Sequence, residues 1–81
     1  MKLPRDLSGT DLAHKLEVFG YSLDRQTGSH IRLTSNVNKT EHHVTIPVHD
    51  PLKVGTLNVI LAEVARYLQI DRKSLVRELF K

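Results

Sequence analysis

Apolar residues alternate with polar ones in two short runs, residues 30–34 and 43–48, and recur at helical spacing from residue 57 onward. Ile31 and Leu33 alternate with His30, Arg32 and Thr34, while Val44, Ile46 and Val48 alternate with His43, Thr45 and Pro47. Side chains on a strand project to opposite faces in turn, so this pattern describes strands with one face buried and the other in water. Leu57, Ile60, Leu61, Val64, Ala65 and Leu68 instead share one side of a helix. A half-wet sheet must be covered by such helices, which predicts an α+β fold with helices on one face of a three-stranded antiparallel sheet.

The remaining elements follow from punctuation. Ser8 predicts a helix start and Gly20 a stop, with Leu12, Leu16 and Phe19 on one face of a helix over Ser8–Phe19. Tyr21–Arg25 reads as the first strand, and Thr27-Gly28-Ser29 as the turn into the second. The polar stretch Ser35–Glu41 reads as a separation between the second and third strands. After Asp50-Pro51 the pair Gly55-Thr56 offers a helix start, and Asp71 caps a short last helix carrying Leu75, Val76, Leu79 and Phe80. The expected order is α-β-β-β-α-α. Parity sends Ile31, Leu33, Val44 and Ile46 toward the helices, and His30, Arg32, Thr34, His43 and Thr45 onto the open face.

A chain of 81 residues without repeats or low-complexity tracts has room for one domain, expected over residues 1–81. With no cysteine it must be held by packing alone, without disulfides or thiolate metal sites. No apolar run approaches the roughly 20 residues of a membrane span, and Met1–Arg5 lacks the apolar segment of a leader. A cytoplasmic protein without a membrane partner is therefore expected. A formal charge of +3, with five further histidines, suits a polyanionic partner.

The segment Arg25-Gln26-Thr27-Gly28-Ser29-His30 places a histidine at the start of an exposed strand, directly after a turn. An imidazole exchanges a proton near neutral pH, which is what deprotonating a ribose 2′-hydroxyl or protonating a leaving oxygen requires. The alternative is a solvated strand histidine. His49, beyond Pro47, is a second candidate acid or base, or else a locally bonded turn residue. His42 and His43 with His49 invite a metal reading, but neighbours on a strand face opposite ways and no set of converging ligands is recognisable, so no metal or cofactor is expected. Arg25, Arg32 and Lys53 are candidate phosphate contacts, as are the backbone N–H groups of Gly55 and Thr56 at a helix start. The basic last helix, with Arg72, Lys73, Arg77 and Lys81, reads as a solvated face.

Three ordered motifs carry a resemblance. Gly28-Ser29-His30 after a helix and a strand, Ile46-Pro47-Val48-His49 closing the third strand, and Lys53-Val54-Gly55-Thr56-Leu57 with Ile60-Leu61 opening a helix are similar to the HicA family of mRNA interferase toxins, over about Asp6 to Phe80. The resemblance implies a fold like that of double-stranded-RNA-binding domains, RNA cleavage, neutralisation by a HicB-type antitoxin, and a catalytic histidine at His30. Gly28 and Ser29, adjoining that histidine, are further candidate RNA-binding residues. The chain departs from the commoner pattern in its long polar insert Asn36–Thr40, its His42-His43 doublet, and a second helix running on through Glu63-Val64-Ala65-Arg66-Tyr67.

RNA carries its own nucleophile, so one placed base, a proton donor for the leaving oxygen and nearby positive charge suffice to cut it without a metal. The competing readings are a non-catalytic RNA-binding module of the same fold, and a protein-binding adaptor, against which the His and Arg residues of the open face speak.

Overall fold

The computed structural model describes residues 3–81. Met1 and Lys2, the start of the Met1–Arg5 stretch considered above for a leader, lie outside the described residues. Helix α1 (Gly9–Leu16) continues into one 3-10 turn (Glu17–Phe19), followed by β1 (Ser22–Gln26), β2 (His30–Asn38), β3 (Thr40–Pro47), α2 (Val54–Leu68) and α3 (Arg72–Leu79). The strands form a single antiparallel sheet in the order β1-β2-β3. The α-β-β-β-α-α order is therefore as the hydrophobic spacing predicts. Among the described residues no helix is long and apolar enough to cross a membrane.

Both side-chain caps are made by the residues expected to make them. Ser8 Oγ accepts the Asp11 N–H at 3.0 Å, and an Asp71 carboxylate oxygen accepts the Ser74 N–H at 2.7 Å, which holds the Asp71 carboxyl below its ordinary pKa. The Ser8–Phe19 helix tightens in its last turn. Gly20 takes a left-handed φ of 85°, its N–H bonds the Glu17 carbonyl at 3.0 Å, and the chain reverses to drive Tyr21 into the core at 2 % exposure. Tyr21 is thus an anchor before β1 and not its first residue.

The face assignment of β2 and β3 holds. Ile31, Leu33, Val44 and Ile46 are buried with Leu12 and Leu16 of α1, Leu57, Leu61 and Val64 of α2, and Leu75 of α3. Each such side chain contributes about 1.5–3 kcal/mol on leaving water. Strand β1, at the sheet edge, differs: all five of its residues are exposed, Leu23 at 60 %, and its register against β2 is irregular between Leu23 and Arg25.

The stretch Ser35–Glu41 is not a separating loop. β2 runs on to Asn38 and β3 begins at Thr40, with the turn made at Lys39 in a left-handed φ of 66°. The physical reason lies on α2. The Tyr67 hydroxyl accepts the Asn38 N–H at 3.1 Å and donates toward the Thr40 and Ser35 carbonyls, while Asn38 Nδ2 donates to the Tyr67 carbonyl at 2.6 Å. These bonds satisfy backbone groups that an isolated hairpin tip would leave to water. The helix itself begins at Val54, one residue before the predicted Gly55 start.

The opposite end of the β2–β3 pair is held by close approach. The Gly9 N–H bonds the His49 carbonyl at 2.9 Å, and a Cβ built on Gly9 would stand 2.0 Å from the Pro47 carbonyl oxygen. Backbone against backbone leaves no side chain free to yield. Gly9→Ala is accordingly expected to lower stability by about 1–3 kcal/mol, measured by urea denaturation, whereas Gly28→Ala, whose Cβ would meet open space, is expected to leave the midpoint nearly unchanged.

Candidate active site

The turn before β2 is tied by a threonine. The Thr27 N–H donates to the His30 carbonyl at 2.9 Å, and Thr27 Oγ1 accepts the His30 N–H at 3.1 Å and the Ser29 N–H at 3.3 Å. Gly28 has no positive φ, so its conformation does not require glycine. Across the sheet, Val48 N–H donates to the Ser29 carbonyl at 2.9 Å, and His30 pairs with Pro47. Ser29 Oγ then lies 2.9 Å from His30 Nδ1, which fixes one edge of the imidazole and leaves Nε2 free of it. The His30 side chain is exposed.

His30 opens onto a groove lined by His43, Thr45 and Pro47 of β3 and by Thr56, Val59, Ile60 and Glu63 of α2. Positions 56, 59, 60 and 63 follow one another at helical spacing, so α2 offers a single stripe to the open edge of the sheet. Thr56 is in the first turn of α2, where N–H groups have no intrahelical partner and the helix dipole favours an anion. Its N-cap, Lys53, makes no side-chain cap bond and is exposed.

Of the residues singled out by sequence, the structure brings together Ser29, His30 and Thr56. Arg32 stands on the open face with its Nε 3.3 Å from Asp24 Oδ2, so its charge is already paired. Arg25 is exposed on β1 opposite Arg32. His49 lies beyond the end of β3, is exposed, and is not among the side chains lining the groove. Gly55 is exposed in the first turn of α2.

The two adjacent histidines part company as strand parity demands. His43 faces out: its Nε2 lies 2.7 Å from Glu41 Oε1, and its Nδ1 lies 2.8 Å from the Thr34 hydroxyl, which itself donates to Asp24 at 3.1 Å. His42 faces the helices, stacked on the Tyr67 ring at a centroid distance of 4.6 Å, with Nδ1 2.8 Å from the Tyr21 hydroxyl. Burial pushes the Tyr21 phenol well above its ordinary pKa, keeping the hydroxyl protonated beside that nitrogen. Among the described residues no group of three or more His, Asp or Glu side chains is arranged to hold a metal ion.

Sequence parity alone places His43 and Thr45 on the open face. The groove contributions of Val59, Ile60 and Glu63 have no such signal, because they depend on how α2 lies along β3. A second, more apolar hollow lies between α1 and β1, lined by Ala13, Tyr21, Leu23, Ile31 and Leu33, and contains no part of the His30 cluster.

Comparison with known families gives a match over residues 9–65 to the HicA toxin of bacterial toxin–antitoxin systems. That span holds α1, the whole sheet and most of α2, and so all of the groove. No curated protein and no solved structure gives a significant match.

The setting of His42 makes a pH prediction. Burial lowers its pKa below the ordinary value of 6.5, against a smaller opposing pull from Glu63, with His43 adding the least, in the same direction as burial. The unfolded chain therefore takes up the proton first. Stability is complete above about pH 6.5 and lost as pH falls through the folded pKa. Thermal unfolding followed between pH 7.5 and 5 is expected to show a falling Tm for the parent and a shallower fall for His42→Gln.

Proposed function

We propose, since this chain belongs to the HicA toxin family, that it is a metal-independent endoribonuclease acting on mRNA, with His30 as its general base. The observation that carries the reading is an exposed imidazole, oriented by Ser29, opening onto a groove that also contains the first turn of α2. The open sheet face with helices behind it supports a likeness to double-stranded-RNA-binding domains, though layout alone does not fix function.

In the proposed reaction His30 Nδ1–H donates to Ser29 Oγ, leaving the Nε2 lone pair to take the proton of a ribose 2′-hydroxyl. The freed 2′-oxygen attacks the adjacent phosphorus, the P–O5′ bond breaks, and the leaving 5′-oxygen takes a proton from solvent in the open groove. His49, outside the groove lining, is the weaker candidate for that second transfer. N–H groups at Gly55 and Thr56, with Lys53 beside them, would meet the charge developing on phosphate oxygens. Arg25 supplies a further cation on the open face, and Arg32 a weaker one because Asp24 holds it. The products are a 2′,3′-cyclic phosphate and a 5′-hydroxyl.

The family further supports a HicB-like antitoxin as protein partner and the cytoplasm as the place of action. A non-catalytic RNA-binding module of the same fold remains the competing reading, and catalysis separates the two. Purified protein incubated with total RNA in EDTA is expected to generate 5′-hydroxyl ends, and His30→Ala to lower the rate by roughly 10²–10⁴-fold. Cleavage by His30→Ala at the parent rate would overturn the assignment. Ser29→Ala is expected to lower kcat with little change in KM, because Ser29 positions the base without needing to hold substrate.

A further inference from the structure

The groove beside His30 contains a carboxylate that the reaction above does not use. Glu63 lies on the same stripe of α2 as Thr56 and Val59 and lines the groove together with His30, Thr45 and Pro47. Its side chain is exposed, and among the described residues it enters no salt bridge, whereas Asp24 and Glu41 are both engaged with Arg32 or His43. Arg66, one turn further on, joins Glu63 in lining the adjoining hollow without forming an ion pair with it. An unpaired negative charge is a liability on a surface meant for a polyanion. It becomes an asset only where the polyanion presents hydrogen-bond donors, and in RNA the main ones away from the ribose are on the bases.

We propose that Glu63 reads the base flanking the scissile phosphate and selects guanine. This rests on the ribonuclease reading of His30. An ionised carboxylate only accepts hydrogen bonds, through two oxygens side by side. The Watson–Crick edge of guanine offers N1–H and an N2 amino hydrogen side by side, so both oxygens are satisfied at once. Adenine and cytosine set a single amino group next to a ring-nitrogen acceptor, and uracil sets one N–H between two carbonyls, so each opposes one carboxylate oxygen with a lone pair. Unstacked bases of single-stranded RNA are commonly read on this edge.

The surroundings suit a base. Val59 is 60 % exposed and, with Pro47, gives the groove an apolar wall against which a flat ring can lie. From Thr56 to Glu63 the helix rises about 10 Å at 1.5 Å per residue, comparable to the reach from a phosphate to the far edge of its base. A phosphate at the first turn of α2 thus leaves the base edge at Glu63.

The test uses short single-stranded RNAs identical except for guanine, inosine or adenine beside the cleavage position. Each is made in cleavable form and with a 2′-deoxy sugar that blocks cleavage, and offered to the parent, Glu63→Gln and His30→Ala proteins. The parent is expected to cleave the guanine RNA, and bind its 2′-deoxy form, about tenfold better than inosine, which lacks the N2 amino group. Glu63→Gln is expected to shrink that preference to about twofold or less while still cutting the adenine RNA, and His30→Ala to keep the binding preference without cutting. Equal treatment of guanine and inosine by the parent, or an undiminished preference in Glu63→Gln, overturns the assignment of Glu63 even if His30-dependent cleavage stands. His30-independent cleavage sinks the assignment of His30 as the base and leaves the binding comparison to judge Glu63 separately. Failure of every RNA to bind sinks both.

Discussion

The register of β2 against β3 is the constraint on which the rest of the molecule depends. With Ile31 opposite Ile46 and Leu33 opposite Val44, four apolar side chains face the helices, and His30, Arg32, His43 and Thr45 face water. A slip by one residue would exchange the two sets, burying the histidines and stripping the core. The pair is secured at both ends. Gly9 abuts Pro47 where the strand carrying His30 begins, and Tyr67 grips Asn38 and Thr40 where the hairpin turns. His30 owes its position to these two clamps as much as to its own turn.

Much of this was legible in the sequence, because hydrophobic spacing and cap residues act locally. The alternation through Ile31, Leu33, Val44 and Ile46 assigned their faces correctly, and Ser8 and Asp71 cap the helices they precede. What local reasoning missed is set by tertiary contact. The polarity of Ser35–Glu41 suggested a loop, yet Tyr67, distant in sequence, supplies the bonds that keep it in the sheet. Gly28 drew notice as a turn residue, while the bonding is done by Thr27. The order and chemistry of the His30 segment were readable; its company, Val59 and Glu63 above all, was not, since only the packing of α2 along β3 brings them there.

Three segments of the chain meet in space. The β2–β3 turn provides Asn38, the histidine doublet provides His42, and the last turn of α2 provides Tyr67; Tyr67 bonds the first and stacks on the second. Segments that look independent along the chain are thus joined in one bonded cluster. Lengthening the hairpin without an aromatic hydroxyl to receive it would leave backbone groups unsatisfied, and burying a histidine without Tyr21 beside it would strand a ring nitrogen.

The pairing of charges on the open face has a consequence for how tightly a polyanion can be held there. Asp24 pairs with Arg32, and Asp24 with Glu41 flanks His43, so carboxylates offset part of the positive charge of the open face, while Arg25, Lys53 and Arg66 enter no ion pair among the described residues. Were a nucleic-acid strand to lie across such a face, it would displace few condensed counterions, and its affinity would vary only gently with ionic strength.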